Sequence, residues 1–155
     1  MRKPKLYVLV GVPGSGKSTW INNQAWAKKC VIVSTDDLVD AHAATIGQTY
    51  SEVFKDYMPT AVQLMTDQVM AARKKKADII WDQTSVSVGS RKKKLRMLPN
   101  YYKIAVVFPT PDATELQRRL ASRPGKNIPK QVSNSMAASF VMPTEEEGFD
   151  EVWHA

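Results

Sequence analysis

The 155-residue sequence predicts an α/β fold in which a parallel sheet of four or five strands is covered by helices on both faces. Three observations predict it. Four apolar runs, residues 6–10, 30–33, 79–81 and 104–108, are near-continuous rather than alternating, as in strands buried on both faces. Segments with helical spacing separate the runs. A glycine-rich stretch follows the first run directly, where a strand would turn into a helix.

That stretch, residues 11–19, reads Gly-Val-Pro-Gly-Ser-Gly-Lys-Ser-Thr. It fits GxxxxGK[ST], which makes the predicted sheet one of the P-loop NTPase type. Gly11, Gly14 and Gly16 let the backbone approach phosphate oxygens. The amides after Gly14 are expected to point inward as an anion site at the start of the next helix. Lys17 is expected on the β- and γ-phosphates, and the Ser18 hydroxyl on Mg²⁺. The implied ligands are ATP and Mg²⁺. All of the loop, with Val12, Pro13, Ser15 and Thr19 beside the residues just named, belongs to the expected nucleotide site.

Helical spacing is expected over residues 20–28 and, with Val53, Tyr57, Ala61, Leu64 and Gln68 on one face, over 50–72. Further helices are expected over 90–98 and 114–121, and from Pro129 to about 141 with Val132, Met136 and Phe140 on one stripe. Residues 149–153 read as a short strand or an aromatic cover. Trp81 and Tyr50 read as core, with stacking on the bases of a nucleic acid as the other use.

In such sheets ligands sit beyond the carboxyl ends of the strands. There the sequence puts Asp36 and Asp37 after the second run, and Asp82 after the third. Asp36 is the candidate general base; capping of the following helix is the other use of Ser34, Thr35 and the two Asp residues. Asp82 is suited to orient an acceptor hydroxyl or a metal-bound water. Arg119 and Arg123, four apart and followed by Pro124-Gly125, read as a small helical lid over about 118–130 that neutralises charge during phosphoryl transfer.

With 22 Lys+Arg against 15 Asp+Glu, the net charge of +7 suits a polyanionic partner. Two runs, residues 73–76 and 91–94, concentrate it, the first at an expected helix end. A single cysteine, Cys30, excludes a disulfide framework or a Cys-rich metal site and favours a reducing cytoplasm. Only five apolar residues follow the basic start, too few for a signal segment or a membrane span.

Taken in order, these residues resemble the kinase domain of phage and animal polynucleotide 5′-hydroxyl kinases. The resemblance runs from the loop at residues 11–20 through Asp36, Asp82-Gln83-Thr84-Ser85, Ser90-Arg91, Arg119 and Arg123 to Pro143-Thr144-Glu145-Glu146-Glu147-Gly148-Phe149. It implies ATP-dependent phosphorylation of 5′-hydroxyl ends of DNA or RNA, with Lys17, Asp36, Arg119 and Arg123 catalytic. It further implies acceptor contacts from Asp36, Asp82, Thr84 and Arg91. Phage members have arginines where this chain has Thr35 and Val39, and an Asn where it has Ser85, so Arg91 and the lysines after it are expected to supply phosphate contacts instead. No Asp-x-Asp-Gly-Thr sequence of the associated phosphatase occurs, so one kinase domain over residues 1–155 is expected, with no obligate protein partner. The rival readings are a small-molecule hydroxyl kinase on this scaffold and a nucleotide-gated binding module. The chain has no Asn-Lys-x-Asp guanine-reading sequence.

Overall fold

The computed structural model describes residues 2–155. Five parallel strands, β1 (Lys5–Val10), β2 (Val31–Val33), β3 (Ile79–Trp81), β4 (Tyr102–Val107) and β5 (Glu151–His154), form one sheet in the order β2-β3-β1-β4-β5. The expected parallel sheet is thus observed, and the last apolar stretch is its fifth strand.

The central strand β1 sends alternate side chains to opposite faces. Leu6, Val8 and Val10 join Val33, Ile79, Trp81 and Ala105 on one side. That layer is closed by Met65, Val69 and Ala72 of α3 (Tyr50–Lys74) and Leu95 of α4 (Val88–Met97). Tyr7 and Leu9 face the other way, with Ile80, Ile104, Val106 and Phe108, against Ile21 and Ala27. Aromatic rings continue this second layer, with Tyr7 and Trp26 at 4.5 Å between centroids and Trp20 edge-on to Phe108 at 5.9 Å.

Several expected helices differ in extent. The segment 20–28 divides into α1 (Lys17–Asn22) and a 3₁₀ turn (Ala25–Lys29). Asn23 closes α1, its N–H reaching the Thr19 and Trp20 carbonyls, and Gln24 is extended. A helix whose end the sequence does not mark, α2 (Thr35–Thr45), follows β2, and Ser34 caps it as the sequence allows, by accepting from the Asp37 N–H at 3.2 Å. Helix α3 starts at a capping box between Thr49 and Glu52 and passes through Pro59. Its buried stripe holds the four-residue step from Val53 through Ala61 to Met65 and Val69, so Leu64 and Gln68 point outward. Two further helices, α5 (Ala113–Ala121) and α6 (Lys130–Ala138), frame the segment between them. On α6 Ser133 is buried and Val132 is exposed, and Phe140 lies beyond the helix end. No helix among the described residues is long and apolar enough to cross a membrane.

The run 91–94 is not a uniformly solvated face. Lys94 is buried, with Nζ 5.5 Å from the Trp81 ring centre. Burial, helped by the Arg91 and Lys93 charges, lowers its pKa from 10.5 to about 8. The unfolded chain therefore binds more protons between those two values, and stability rises with pH across that window. Lys94→Met is expected to raise the melting temperature most below pH 8, with the gain fading as pH climbs toward 10.5. Thermal melts across this range check it; a gain independent of pH would show that the buried ammonium is not its source.

Candidate active site

The phosphate loop leaves β1 at Gly11, whose N–H donates to the Thr84 carbonyl at 2.9 Å, tying the loop to the segment after β3. Gly14 has φ +83°, and a Cβ there would stand 3.2 Å from Leu116 and 3.3 Å from Leu120, so α5 packs directly over the loop. Gly16 has φ +100° and opens onto free space. Lys17 Nζ donates to the Gly11 and Val12 carbonyls, both at 2.9 Å. Burial, opposed by the Asp82 charge, lowers the Lys17 pKa to about 8. The Val12 side chain itself is fully buried, so this residue serves the site through its backbone.

Around the loop lies a cavity of about 670 Å³, bounded by Gly14 to Trp20, Asn23, Phe108, Pro109, Arg119 and Arg123. The two arginines converge there although α5 ends at Ala121, before Arg123. Arg119 Nη1 donates to the Gly14 carbonyl at 3.0 Å, while its Nε is held by Glu115 at 2.9 Å. Ser15 Oγ is buried at the cavity wall without a hydrogen-bond partner among the described residues. An open amide-lined turn, an orphaned hydroxyl and three cations on one cavity fit a polyphosphate.

A second cavity, about 440 Å³, adjoins the first through Lys17, Ser18 and Arg123, and it brings in Asp36, Asp37, Asp40 and Asp82. No three His, Cys, Asp or Glu residues among the described ones gather as a metal cage. The oxygen donors here, Ser18 Oγ with nearby carboxylates, suit Mg²⁺ held mainly by substrate phosphates and water.

The third pocket, about 570 Å³, shares Asp36, Asp82 and Thr84 with the second and is walled by Tyr50, Phe54, Met58, Val132 and Met136. Tyr50 is therefore part of a pocket wall rather than core. Its hydroxyl donates to Asp36 Oδ1 at 2.7 Å, and Lys126 Nζ pairs with Asp36 Oδ2 at 2.8 Å. Burial pushes the Asp36 pKa up, but the Lys126 and Tyr50 hydrogen bonds with the nearby Lys17 charge outweigh it and hold the group below the usual value. Asp82 behaves oppositely: burial, only partly opposed by Lys17, raises it to about 6. Gln83 links the end of β3 to the start of α2 here, accepting from Trp81 Nε1 at 3.0 Å and donating to Thr35 Oγ1 at 3.1 Å.

Arg91 requires a correction. Its side chain is fully buried and does not reach the acceptor pocket. Nε and Nη2 donate to the two Glu147 oxygens at 2.8 and 3.0 Å, and Nη1 donates to the Ser85 carbonyl at 2.9 Å. Ser85 has φ +48°, a left-handed conformation that the arginine helps to hold. Lys126, Tyr50 and Gln83 join the site through contacts that no sequence pattern marks. Lys126 does fall in the expected lid, but nothing local in sequence pairs it with Asp36.

Phosphate loop, facing carboxylates and an arginine flap on a parallel sheet define a kinase-type P-loop phosphotransferase. Residues 6–143 match the model of the AAA domain family. The chain belongs to that family. It is 28% identical over 153 residues to the bifunctional polynucleotide phosphatase/kinase of Schizosaccharomyces pombe, covering 96% of this chain and 32% of that protein. The chain thus spans about a third of the length of this curated relative. A chain of the Pnkp1/Rnl/Hen1 RNA repair complex superposes with a TM-score of 0.69 at 26% identity, over 90% of this chain and 44% of that one. A sugar kinase from a Janibacter species shares the fold alone, with a TM-score of 0.64 at 15% identity over 97% and 85% of the two chains.

Proposed function

We propose that the chain is a kinase module that transfers the γ-phosphate of ATP to the 5′-hydroxyl end of DNA or RNA. The observation that supports this most is the continuity of the three cavities. Lys17 and Ser18 face the carboxylates of Asp36 and Asp82 across the middle one, so a phosphate and a hydroxyl can meet between them. Likeness to the fission-yeast polynucleotide phosphatase/kinase over nearly the whole chain supports the nucleic acid acceptor.

In this reading Lys17 exchanges its two carbonyl partners for phosphate oxygens, and the loop amides hold the rest of the triphosphate. Mg²⁺, held by Ser18 and the phosphates, supplies charge neutralisation when bound. The acceptor lies in the pocket of Tyr50, Phe54 and Met58, oriented by Asp82 and Thr84. Asp36 takes the hydroxyl proton as the acceptor oxygen bonds to the γ-phosphorus. The bond from that phosphorus to the β,γ-bridging oxygen breaks, and its electron pair leaves on ADP. Arg119 and Arg123 neutralise the charge that develops there. The flap carrying them, at about 118–130, acts as the lid.

The test is transfer of labelled γ-phosphate to 5′-hydroxyl oligonucleotides. Wild type is expected to transfer, and Lys17→Ala to lose about 10²–10³ in rate. A second reading, a small-molecule hydroxyl kinase, draws on the compact apolar acceptor pocket and on a scaffold shared with a sugar kinase. Salt separates the two. An oligonucleotide held through Z phosphates loses affinity with a log–log slope of about −0.7Z, whereas a neutral acceptor barely responds. A flat salt profile, or transfer to sugars alone, would sink the polynucleotide reading.

A further inference from the structure

We infer that Lys126 locks Asp36 and that an anionic acceptor opens the lock, so that the enzyme selects phosphate-bearing acceptors at the chemical step as well as in binding. This rests on the polynucleotide kinase reading above and concerns how that same site is regulated.

The path of the flap fixes where this cation can be. Gly125 turns at φ +69°, and a Cβ there would stand 3.0 Å from the Thr49 side chain. The Gly125 carbonyl accepts from the Ser51 N–H at 3.1 Å, and the Asn127 N–H donates to Ser51 Oγ at 2.8 Å. Lys126 lies between these two bonds. Its backbone is therefore fastened to the first turn of α3, and the moving part is its side chain.

That side chain runs along Tyr50, with Nζ 4.3 Å from the ring centre, and ends on Asp36. Lys126 and Tyr50 thus occupy one carboxylate oxygen each. A carboxylate engaged on both oxygens, one of them by a cation, is a poor acceptor for a hydroxyl proton. The lysine is the more buried partner, its side chain 12% exposed against 50% for Asp36. Pulling it away without a replacement anion would strand an ammonium in a half-enclosed site.

The position of Lys126 indicates where the replacement comes from. It lines the acceptor pocket and the middle cavity, but not the phosphate-loop cavity, where Arg119 and Arg123 are the flap's contribution. Among the residues that line the acceptor pocket Lys126 is the one cation, so it is the partner there for a backbone phosphate of an oligonucleotide entering beside Tyr50. Once the ammonium moves to that phosphate, Asp36 Oδ2 is open to the incoming hydroxyl. A neutral acceptor brings no anion and meets the base still engaged.

The experiment compares a neutral acceptor, thymidine, with an anionic one, the dinucleotide thymidylyl-thymidine, at saturating ATP. In Lys126→Met, kcat on thymidine is expected to rise severalfold, while KM for the dinucleotide rises about tenfold or more, the worth of a charge-assisted hydrogen bond. Lys126→Arg, which keeps a cation, retains the preference for the dinucleotide. Equal changes on both acceptors would mark Lys126 as merely structural, and a rise in KM for ATP would move it to the donor side. Either result, or no change at all, overturns the lock while leaving the kinase reading intact. Wild-type protein that phosphorylates no nucleic acid end overturns that reading and the lock with it.

Discussion

Asp36→Ala is expected to lower the rate of transfer to a 5′-hydroxyl oligonucleotide about 10²–10⁴-fold, the usual worth of a positioned general base. Nucleotide affinity is expected to survive. Asp36 lies in the first turn of α2, behind the Ser34 cap, and does not line the cavity around the phosphate loop. Single-turnover transfer and a separate nucleotide titration measure the two effects independently. The carboxylate beside it adds a pH signature. Burial holds the Asp82 pKa at about 6, so Asp82 is protonated below that pH and ionised above it. Turnover should therefore rise through pH 6, and Asp82→Asn should remove that limb of the profile. Near-normal turnover by Asp36→Ala, with loss in Asp82→Asn, would transfer the base role to Asp82.

Arg91→Met is expected to destabilise the fold by about 3–5 kcal/mol, the range for removing one member of a buried ion pair. Three donors leave at once, stranding Glu147 and the Ser85 carbonyl. The Glu147 side chain is 11% exposed, so water replaces little of what is lost. Arg91→Lys would not preserve the clasp, because a point charge cannot hold both carboxylate oxygens and the carbonyl in one plane. Pairing Arg91→Met with Glu147→Gln should recover part of the loss, since the stranded charge is then gone. Thermal or urea unfolding of the single and double variants checks this. A single variant as stable as wild type would mean that the clasp is energetically idle.

Those two positions mark the boundary of what is legible in the sequence. The phosphate loop, the strands and the carboxylates at their ends are readable because each is a local pattern: an apolar run, a spacing, an acid at a strand terminus. The paired arginines of the flap are readable for the same reason. Arg91 misleads because a basic run after a loop has the composition of a surface that meets anions, and its partner Glu147 lies 56 residues away. Tyr50 looks like core because an aromatic at the start of an amphipathic helix usually is. Its hydroxyl bond to Asp36, 14 residues earlier, depends on how α3 packs on α2. The expected α3 stripe runs out of phase past Ala61 because Leu64 is apolar, yet the helix buries Met65 there.

The strand order has a consequence for how the chain is made. β1 emerges first and ends between β3 and β4, and β2 emerges second and lies beside β3. Neither has its sheet neighbour until Trp81 has been synthesised, more than halfway along the 155 residues. Through that interval the nascent chain carries two unpaired apolar strands and the exposed inner stripe of α3. Parallel pairings of this kind close late and leave sticky intermediates. Arg91 then waits for Glu147, made 56 residues later, before its guanidinium has the carboxylate that pairs with it.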